Sequence, residues 1–178
     1  MGDGLHFEKK TEDRKMVMRK PIWLAGLAVL AFAACSQERS LVRLRSDYFV
    51  IGLDSKGRIT ELTDLKKERD YLAAIVPAPV LSCRVEGEML APQSARFNEG
   101  ILSLLYDRDL EAQIRTEQKP THLTFELVGF NRPEEVELVA WGPIPTTINK
   151  SIGETVGVVR GEEFAIGVQT LNPKTLGG

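Results

Sequence analysis

Short runs of alternating apolar and polar residues, separated by turn residues, cover most of the chain after residue 40. Residues 59–65 (ITELTDL) and 122–130 (HLTFELVGF) show the two-residue period of a strand with one buried face. Glycine, proline and asparagine lie between such runs, and no helical period persists there for three turns. The pattern predicts an all-β fold, an antiparallel β-sandwich, rather than an α/β fold.

The turn residues also predict which neighbouring runs form hairpins. A short link that contains glycine or asparagine favours antiparallel pairing of the runs on either side. The stretch 110–117 (LEAQIRTE) is expected to pair with the run that follows it. Three further hairpins are predicted: residues 41–54 with 59–65 across SKGR, residues 94–97 with 101–107 across Asn98-Glu99-Gly100, and residues 154–160 with 163–171 across a turn at Gly161.

An uncharged apolar run, residues 21–34, precedes the strands and follows two basic residues. A membrane-spanning helix needs about 20 apolar residues, so the run is too short to span and fits the apolar core of a secretory signal. We interpret residues 1–34 as a signal region with a helical core; a buried helix of a soluble protein would show a polar face. Because the first residues mix both charge signs, translation is expected to begin at Met18 or Met16.

The apolar run ends at a cysteine, and residues 32–35 (FAAC) resemble the lipobox of bacterial lipoproteins. Two small residues precede the cysteine, and Phe32 stands where leucine is commonest in that family. The resemblance implies that the thiol of Cys35 takes a diacylglyceryl group as a thioether, and several acyl chains give stable anchoring to membrane lipid. Residues 35–45 would then be the lipidated cysteine and a tether, and the protein would be an outer-membrane lipoprotein of the cell envelope, facing the periplasm or the surface.

The charge balance and the shortage of cysteine and histidine limit the chemistry available. A formal net charge of −2 over 178 residues provides no basic surface, so we expect no nucleic-acid partner. Two cysteines cannot form a disulfide framework, and two histidines, His6 and His122, cannot supply a zinc cluster. No glycine pattern of a phosphate-binding loop is present, so neither a metal nor another cofactor is expected.

Three groups are candidates for catalysis, each with a structural alternative. Asp107 and Asp109 would share a face if YDRDLE were extended, and glycosidases use two carboxyl groups about 5–10 Å apart. Acidic residues are also common in turns. His122 is the candidate base of a triad or an exposed residue at a strand edge, and Cys83 is a reactive thiol or a buried, inert one. The structural interpretation is favoured for all three groups.

Trp141 and Tyr106 are the candidate ligand-binding residues. A flat aromatic ring can cover the apolar face of a pyranose, so either side chain could stack on a sugar. The alternative is a core aromatic that closes one end of the sandwich. The sequence alone favours the core position, and a polysaccharide or oligosaccharide remains the candidate ligand.

The stretch 46–72, SDYFVIGLDSKGRITELTDLKKERDYL, resembles the start of the galactose-mutarotase-like (supersandwich) domain of large carbohydrate-active enzymes. The likeness extends over residues 46–178, which we interpret as one β-sandwich domain, incomplete at its C-terminus. In that family the acid and the nucleophile usually lie in a following barrel or toroid, so the resemblance implies an accessory part without catalytic residues. The matching positions are Tyr48, Val50, Leu53, Asp54, Gly57, Ile59, Leu62, Asp64, Tyr71 and Leu72.

Three functions are compatible with these observations. The first is a non-catalytic module of a membrane-anchored, glycan-degrading lipoprotein, which binds carbohydrate or packs against a catalytic domain. The second is a standalone glycan-binding lipoprotein, and the third is a small glycoside hydrolase that uses Asp107 and Asp109. The sequence favours the first.

Overall fold

Antiparallel strands form nearly all the regular structure of the protein. The computed structural model describes residues 41–73, 78–153, 157–172 and 174–175, so the predicted signal region and Cys35 lie outside the described residues. No helix within the described ranges is long and apolar enough to cross a membrane. Two short 3-10 segments, Asp107–Asp109 and Pro133–Glu135, interrupt the strands.

The strands are short and follow one another closely along the chain. In order they are β1 (Val42–Arg45), β2 (Phe49–Leu53), β3 (Arg58–Asp64), β4 (Arg69–Asp70), β5 (Ala78–Pro79), β6 (Leu81–Val85), β7 (Glu88–Leu90), β8 (Ser94–Asn98), β9 (Ile101–Leu105), β10 (Glu111–Gln118), β11 (Leu123–Phe130), β12 (Leu138–Trp141), β13 (Ser151–Ile152), β14 (Gly157–Arg160) and β15 (Ala165–Val168).

The described strands form four antiparallel sheets. The first has the order β1-β2-β3-β4, with β5 also paired to β3, and the second has the order β11-β10-β9-β8. The third has the order β12-β6-β7, and the fourth has the order β13-β14-β15. The predicted all-β antiparallel fold is confirmed, as are the pairings β2–β3, β8–β9, β10–β11 and β14–β15.

The core of the sandwich is one apolar cluster that joins the inner faces of the first three sheets. Burial alternates along the strands, so that β6 contributes Leu81, Cys83 and Val85, while the residues between them point outward. Each fully buried leucine or isoleucine stabilises the fold by about 1.5–3 kcal/mol relative to exposure. Other buried members are Leu53, Ile59, Leu62, Ala95, Leu102, Leu104, Leu110, Ala112 and Ile114.

The stretch 41–54, predicted as a single strand, forms two strands. Its chain turns between β1 and β2 because the hydroxyl of Ser46 accepts hydrogen bonds from the N–H groups of Tyr48 and Phe49, at 3.1 Å each. The N–H of Ser46 also donates to the carbonyl of Phe49 at 3.0 Å. A buried serine that bonds to the backbone in this way makes a tight turn without glycine or proline.

The turn between β2 and β3 depends on Asp54, which is buried. Its carboxylate accepts hydrogen bonds from the N–H groups of Lys56 and Arg58, at 2.8 and 2.9 Å, and its second oxygen lies 2.6 Å from Nε of Arg58. Burial alone would raise the pKa of Asp54, but the hydrogen bonds from Arg58 and Lys56 outweigh it and hold the pKa below its ordinary value. Gly57 completes the turn with a φ of +68°.

Three hairpins turn through two consecutive residues of positive φ. These pairs are Glu86-Gly87 between β6 and β7, Glu99-Gly100 between β8 and β9, and Arg108-Asp109 between β9 and β10. Positive φ at both central residues is the mark of a type I′ turn, which matches the twist of the flanking strands. The first two pairs have glycine in second place, whereas the third has an aspartate.

Candidate functional site

The candidate catalytic pair Asp107 and Asp109 lies in a turn, as the favoured structural interpretation predicted, and not in the extended conformation that paired catalysis would need. Arg108 and Asp109 have φ values of 63° and 56°, and both aspartates are exposed. The carboxylate of Asp107 accepts a hydrogen bond from the amide of Gln93, and the carbonyl of Asp109 accepts one from Nδ2 of Asn131 at 2.9 Å. Two-residue spacing puts side chains on one face only in a strand, so the turn removes the geometric argument for paired catalysis.

Neighbouring side chains hold this turn in its strained conformation. The guanidinium of Arg108 lies 2.5 Å from the carboxylate of Glu86, and this hydrogen bond raises the pKa of Arg108. Arg132 donates to the carbonyl of Arg108 and pairs with Glu135 at 3.0 Å. Residues with positive φ other than glycine persist where the surroundings fix them in several ways. This turn is fixed by contacts with the β6–β7 turn, with the loop between β7 and β8, and with the loop that follows β11.

Tyr106 occupies the core position that the alternative interpretation assigned to it. Its side chain is 2% exposed, and its hydroxyl donates a hydrogen bond to the carbonyl of Leu81 at 3.1 Å. Burial raises the pKa of the phenol, and the nearby Cys83 adds to the effect. A ring in this position has no free face on which a sugar could stack.

Cys83 is also buried. It is 0% exposed in β6, and burial raises the pKa of its thiol. A thiol that is kept protonated and away from solvent has the properties of a structural cysteine.

His122 lies in the exposed segment just before β11. Nδ1 of its ring is 2.9 Å from the hydroxyl of Thr121, and its carbonyl accepts the N–H of Lys119 at 2.9 Å. A triad would require a carboxylate to orient the ring and a nucleophile beside it. In the described part of the chain, Thr121 is the side chain that contacts this ring through a hydrogen bond, so no triad is assembled there.

Trp141 ends β12 and is half-buried. Its ring centroid lies 6.4 Å from that of Phe125, with the ring planes tilted by 59°, a favourable edge-to-face arrangement. Phe125 belongs to β11, where it is paired with the buried Thr116 and therefore lies on the inner side of its sheet. The two aromatic rings connect strands of two sheets, and part of the Trp141 ring stays accessible.

The opposite, outer face of the second sheet carries a depression lined by both polar and apolar side chains. Ala95, Leu102 and Leu104 point into the core, so the residues between them along β8 and β9 point outward. The depression has a volume of about 340 Å³ and adjoins a smaller one of about 70 Å³. We call the two together the outer-face depression; it is lined by Ser94, Arg96, Asn98, Glu99, Ile101, Ser103, Leu105 and Glu111.

The register of the sheet places Arg96 and Ser103 at the centre of this depression. Arg96 is paired with Ser103 across β8 and β9, and Ser103 is paired with Gln113 across β9 and β10. Both parts of the depression are lined by Arg96 and Ser103. The two residues therefore lie where the larger and the smaller part meet.

The polar side chains of the outer-face depression have no partners within the part of the chain that the structure describes. No hydrogen bond or ion pair joins the side chains of Arg96, Asn98 or Ser103 to a described residue. On the same face, by contrast, Arg115 forms an ion pair with Glu126 at 2.6 Å. The depression thus offers hydrogen-bond donors and acceptors that no described residue uses.

This candidate site was not predicted from the sequence, although the register of its strands was predictable. The turn at Glu99-Gly100 contains two residues, which fixes the register of β8 and β9 and pairs Arg96 with Ser103. Period-two alternation then assigns both side chains to the polar face. Arg96 belongs to no familiar motif, so no known pattern indicated a site there.

The described residues contain no group of three or more histidine, cysteine, aspartate or glutamate side chains that could hold a metal ion. Comparisons with protein-family models, with curated proteins and with solved structures found no match. The resemblance to lipoproteins and to the galactose-mutarotase-like domain therefore remains a prediction that depends on the residues quoted for it.

Proposed function

We propose that the chain is a non-catalytic β-sandwich module of a membrane-anchored, glycan-degrading lipoprotein, and that it binds carbohydrate. The observation that carries this proposal is the outer-face depression. It presents the side chains of Arg96, Asn98 and Ser103, which form no hydrogen bond or ion pair with a described residue, in an open depression of about 340 Å³. The candidate catalytic groups, by contrast, lie in a turn, in the core or alone.

The physical argument rests on hydrogen-bonding capacity. A hydroxyl group both donates and accepts, so a polyhydroxylated ligand can satisfy guanidinium, amide, hydroxyl and carboxylate side chains at once. The half-buried Ile101 and Leu105 on the same face add apolar surface against which the C–H groups of a sugar ring can pack. Trp141 remains a proposed second contact, since part of its ring is accessible.

Affinity electrophoresis of the purified full-length chain through gels containing soluble polysaccharides tests the glycan-binding part of the proposal. We expect at least one polysaccharide to retard the protein relative to serum albumin in the same gel. A mobility that no polysaccharide in a panel of plant, algal and microbial glycans alters would refute carbohydrate binding.

The anchoring part rests on the apolar run and on Cys35, and it has an independent test. Cells that express the full chain and are fed labelled palmitate should incorporate the label into the protein. The label should disappear in Cys35→Ser and persist in Cys83→Ser, a matched control because Cys83 is buried in the core. An unlabelled protein that fractionates with the cytosol would exclude the lipoprotein assignment.

Packing against a catalytic domain is the alternative function, and one observation favours it. The small sheet β13-β14-β15 exposes apolar side chains, with Ile152 at 70% and Val168 at 44%, and Leu171 just beyond it at 77%. Exposed apolar surface of this kind suits an interface. Ile152→Ser and Val168→Ser should then leave glycan retardation unchanged and weaken co-purification with a catalytic domain expressed in the same cells.

A further inference from the structure

The ligand class of the outer-face depression follows from its charge pattern. Arg96 lies at its centre, Glu99 lines its larger part and Glu111 its smaller part. The formal charge of the lining is therefore +1 − 2 = −1, from one arginine and two glutamates. An anionic ligand that reached Arg96 would lie near like charges on two sides, which repel it.

A neutral ligand avoids this conflict. Arg96 can only donate hydrogen bonds, the two glutamates can only accept them when ionised, and Asn98 and Ser103 can do both. Vicinal hydroxyl groups provide both functions within one sugar unit, so a neutral sugar can bond to all three kinds of group. A carboxylate or sulfate group cannot donate to either glutamate, and it adds a negative charge beside theirs.

The arrangement of these groups also indicates the shape of the ligand. Neighbouring strands lie about 4.8 Å apart, and residues two apart on one strand lie about 7 Å apart. Ser94, Arg96 and Asn98 therefore form a row along β8, and Leu105, Ser103 and Ile101 form the facing row along β9. A row of polar groups beside a mixed polar and apolar row suits an extended chain of sugar units rather than a single compact molecule.

We infer that the outer-face depression binds a neutral oligosaccharide chain that lies along β8 and β9, with Arg96 and Ser103 as its central contacts. The inference rests on the proposed glycan-binding function and specifies its site and its ligand class. Arg96 is exposed and makes no contact that the fold requires, so Arg96→Ala should fold normally.

The test compares the affinity of the full-length chain for neutral probes (a soluble β-glucan, a xyloglucan and a galactomannan) and for acidic probes (polygalacturonate and alginate). Wild type should bind at least one neutral probe and bind neither acidic probe more tightly. Arg96→Ala should weaken binding to the neutral probe about tenfold, the loss expected for one hydrogen-bonded charged contact. Ser103→Val, which exchanges a hydroxyl for methyl groups on a strand, should weaken it as well.

Arg84→Ala is the matched control, because Arg84 is an exposed arginine on a strand of another sheet. It should bind the neutral probe as wild type does. Tighter binding of an acidic probe by wild type would overturn the ligand class, and unchanged neutral binding in Arg96→Ala would overturn the site while leaving the proposed function intact. Failure of wild type to bind any probe would overturn the inference together with the proposed function.

Discussion

Gly57 has a left-handed backbone conformation and packs closely against Leu104, so a single added methyl group should be unfavourable on both counts. Its φ is +68°, and a Cβ atom placed on it would lie 2.6 Å from Cδ2 of Leu104 and 3.4 Å from Cγ of Pro92. Leu104 is 0% exposed, so its side chain cannot move into solvent to make room. Gly57→Ala should therefore destabilise the sandwich through both backbone strain and overpacking.

The two contributions can be estimated separately. A residue with a Cβ atom costs about 1–2 kcal/mol in the left-handed region. Carbon atoms in contact prefer about 3.5–4.0 Å, so the contact with Leu104 is short by about 1 Å, and overpacking of this kind costs about 1–3 kcal/mol. We expect Gly57→Ala to lower the free energy of unfolding by about 2–5 kcal/mol.

Gly87→Ala isolates the backbone term. Gly87 has a φ of +80°, but a Cβ atom there would meet nothing within 4 Å, so this variant should lose only about 1–2 kcal/mol. Urea unfolding of the purified chain, followed by circular dichroism, gives both values from the midpoint shift at constant m. Equal losses in the two variants would refute the argument that Gly57 is required by packing against Leu104.

Three further predictions concern turns and the aromatic pair. Asp109→Gly should raise the free energy of unfolding by about 0.5–1 kcal/mol, because glycine tolerates positive φ; a lower urea midpoint would contradict the turn assignment. Because the pKa of Asp54 is held below its unfolded value of about 3.9, its ionised form stabilises the fold above that pH, and this stability is lost as the pH falls through the folded pKa. Asp54→Asn should thus lower the melting temperature at pH 7. Below pH 4 the melting temperature of the variant should fall less steeply than that of wild type, and equal slopes in the two proteins would argue against this role. Trp141→Ala removes a half-buried ring that contacts Phe125 and should lower the free energy of unfolding by about 2 kcal/mol. Affinity electrophoresis of this variant in the cold, where it stays folded, then tests the proposed sugar contact.

The hairpins could be predicted because their signals are local. The turn at Glu99-Gly100 joins two adjacent runs, and its glycine supplies a positive φ at low cost. The pairing of β12 with β6, which aligns Leu138 with Arg84, was not predicted. The two strands are separated by several others in sequence, and alternation gives the face of a strand but not its partner.

The turn at Ser46 was not predicted, for a different reason, whereas a turn was the favoured interpretation of Asp107 and Asp109. Each depends on side chains that bond to the backbone, the hydroxyl of Ser46 in the first case and the amide of Asn131 in the second. The turn at Ser46 contains neither glycine nor proline, so residues 41–54 show the same pattern that a continuous strand would show. A polar residue that replaces glycine in a turn is identified only once its hydrogen-bond partners are known.

The outer-face depression combines an unpaired charge, that of Arg96, with partly exposed apolar side chains, and the two features carry different information. An exposed arginine without an ion pair costs the fold little, because surface ion pairs contribute only about 0–1 kcal/mol, so the unpaired state of Arg96 alone indicates nothing. Ile101 and Leu105 are different, since apolar surface on the solvent side of a sheet forgoes about 25 cal/mol for each Å² left exposed. Ile101 lines the larger part of the depression and Leu105 the smaller part, each beside Arg96 and Ser103. Under the proposed function, a sugar chain that covers Ile101 and Leu105 and bonds to Arg96 and Ser103 would give both features a physical reason.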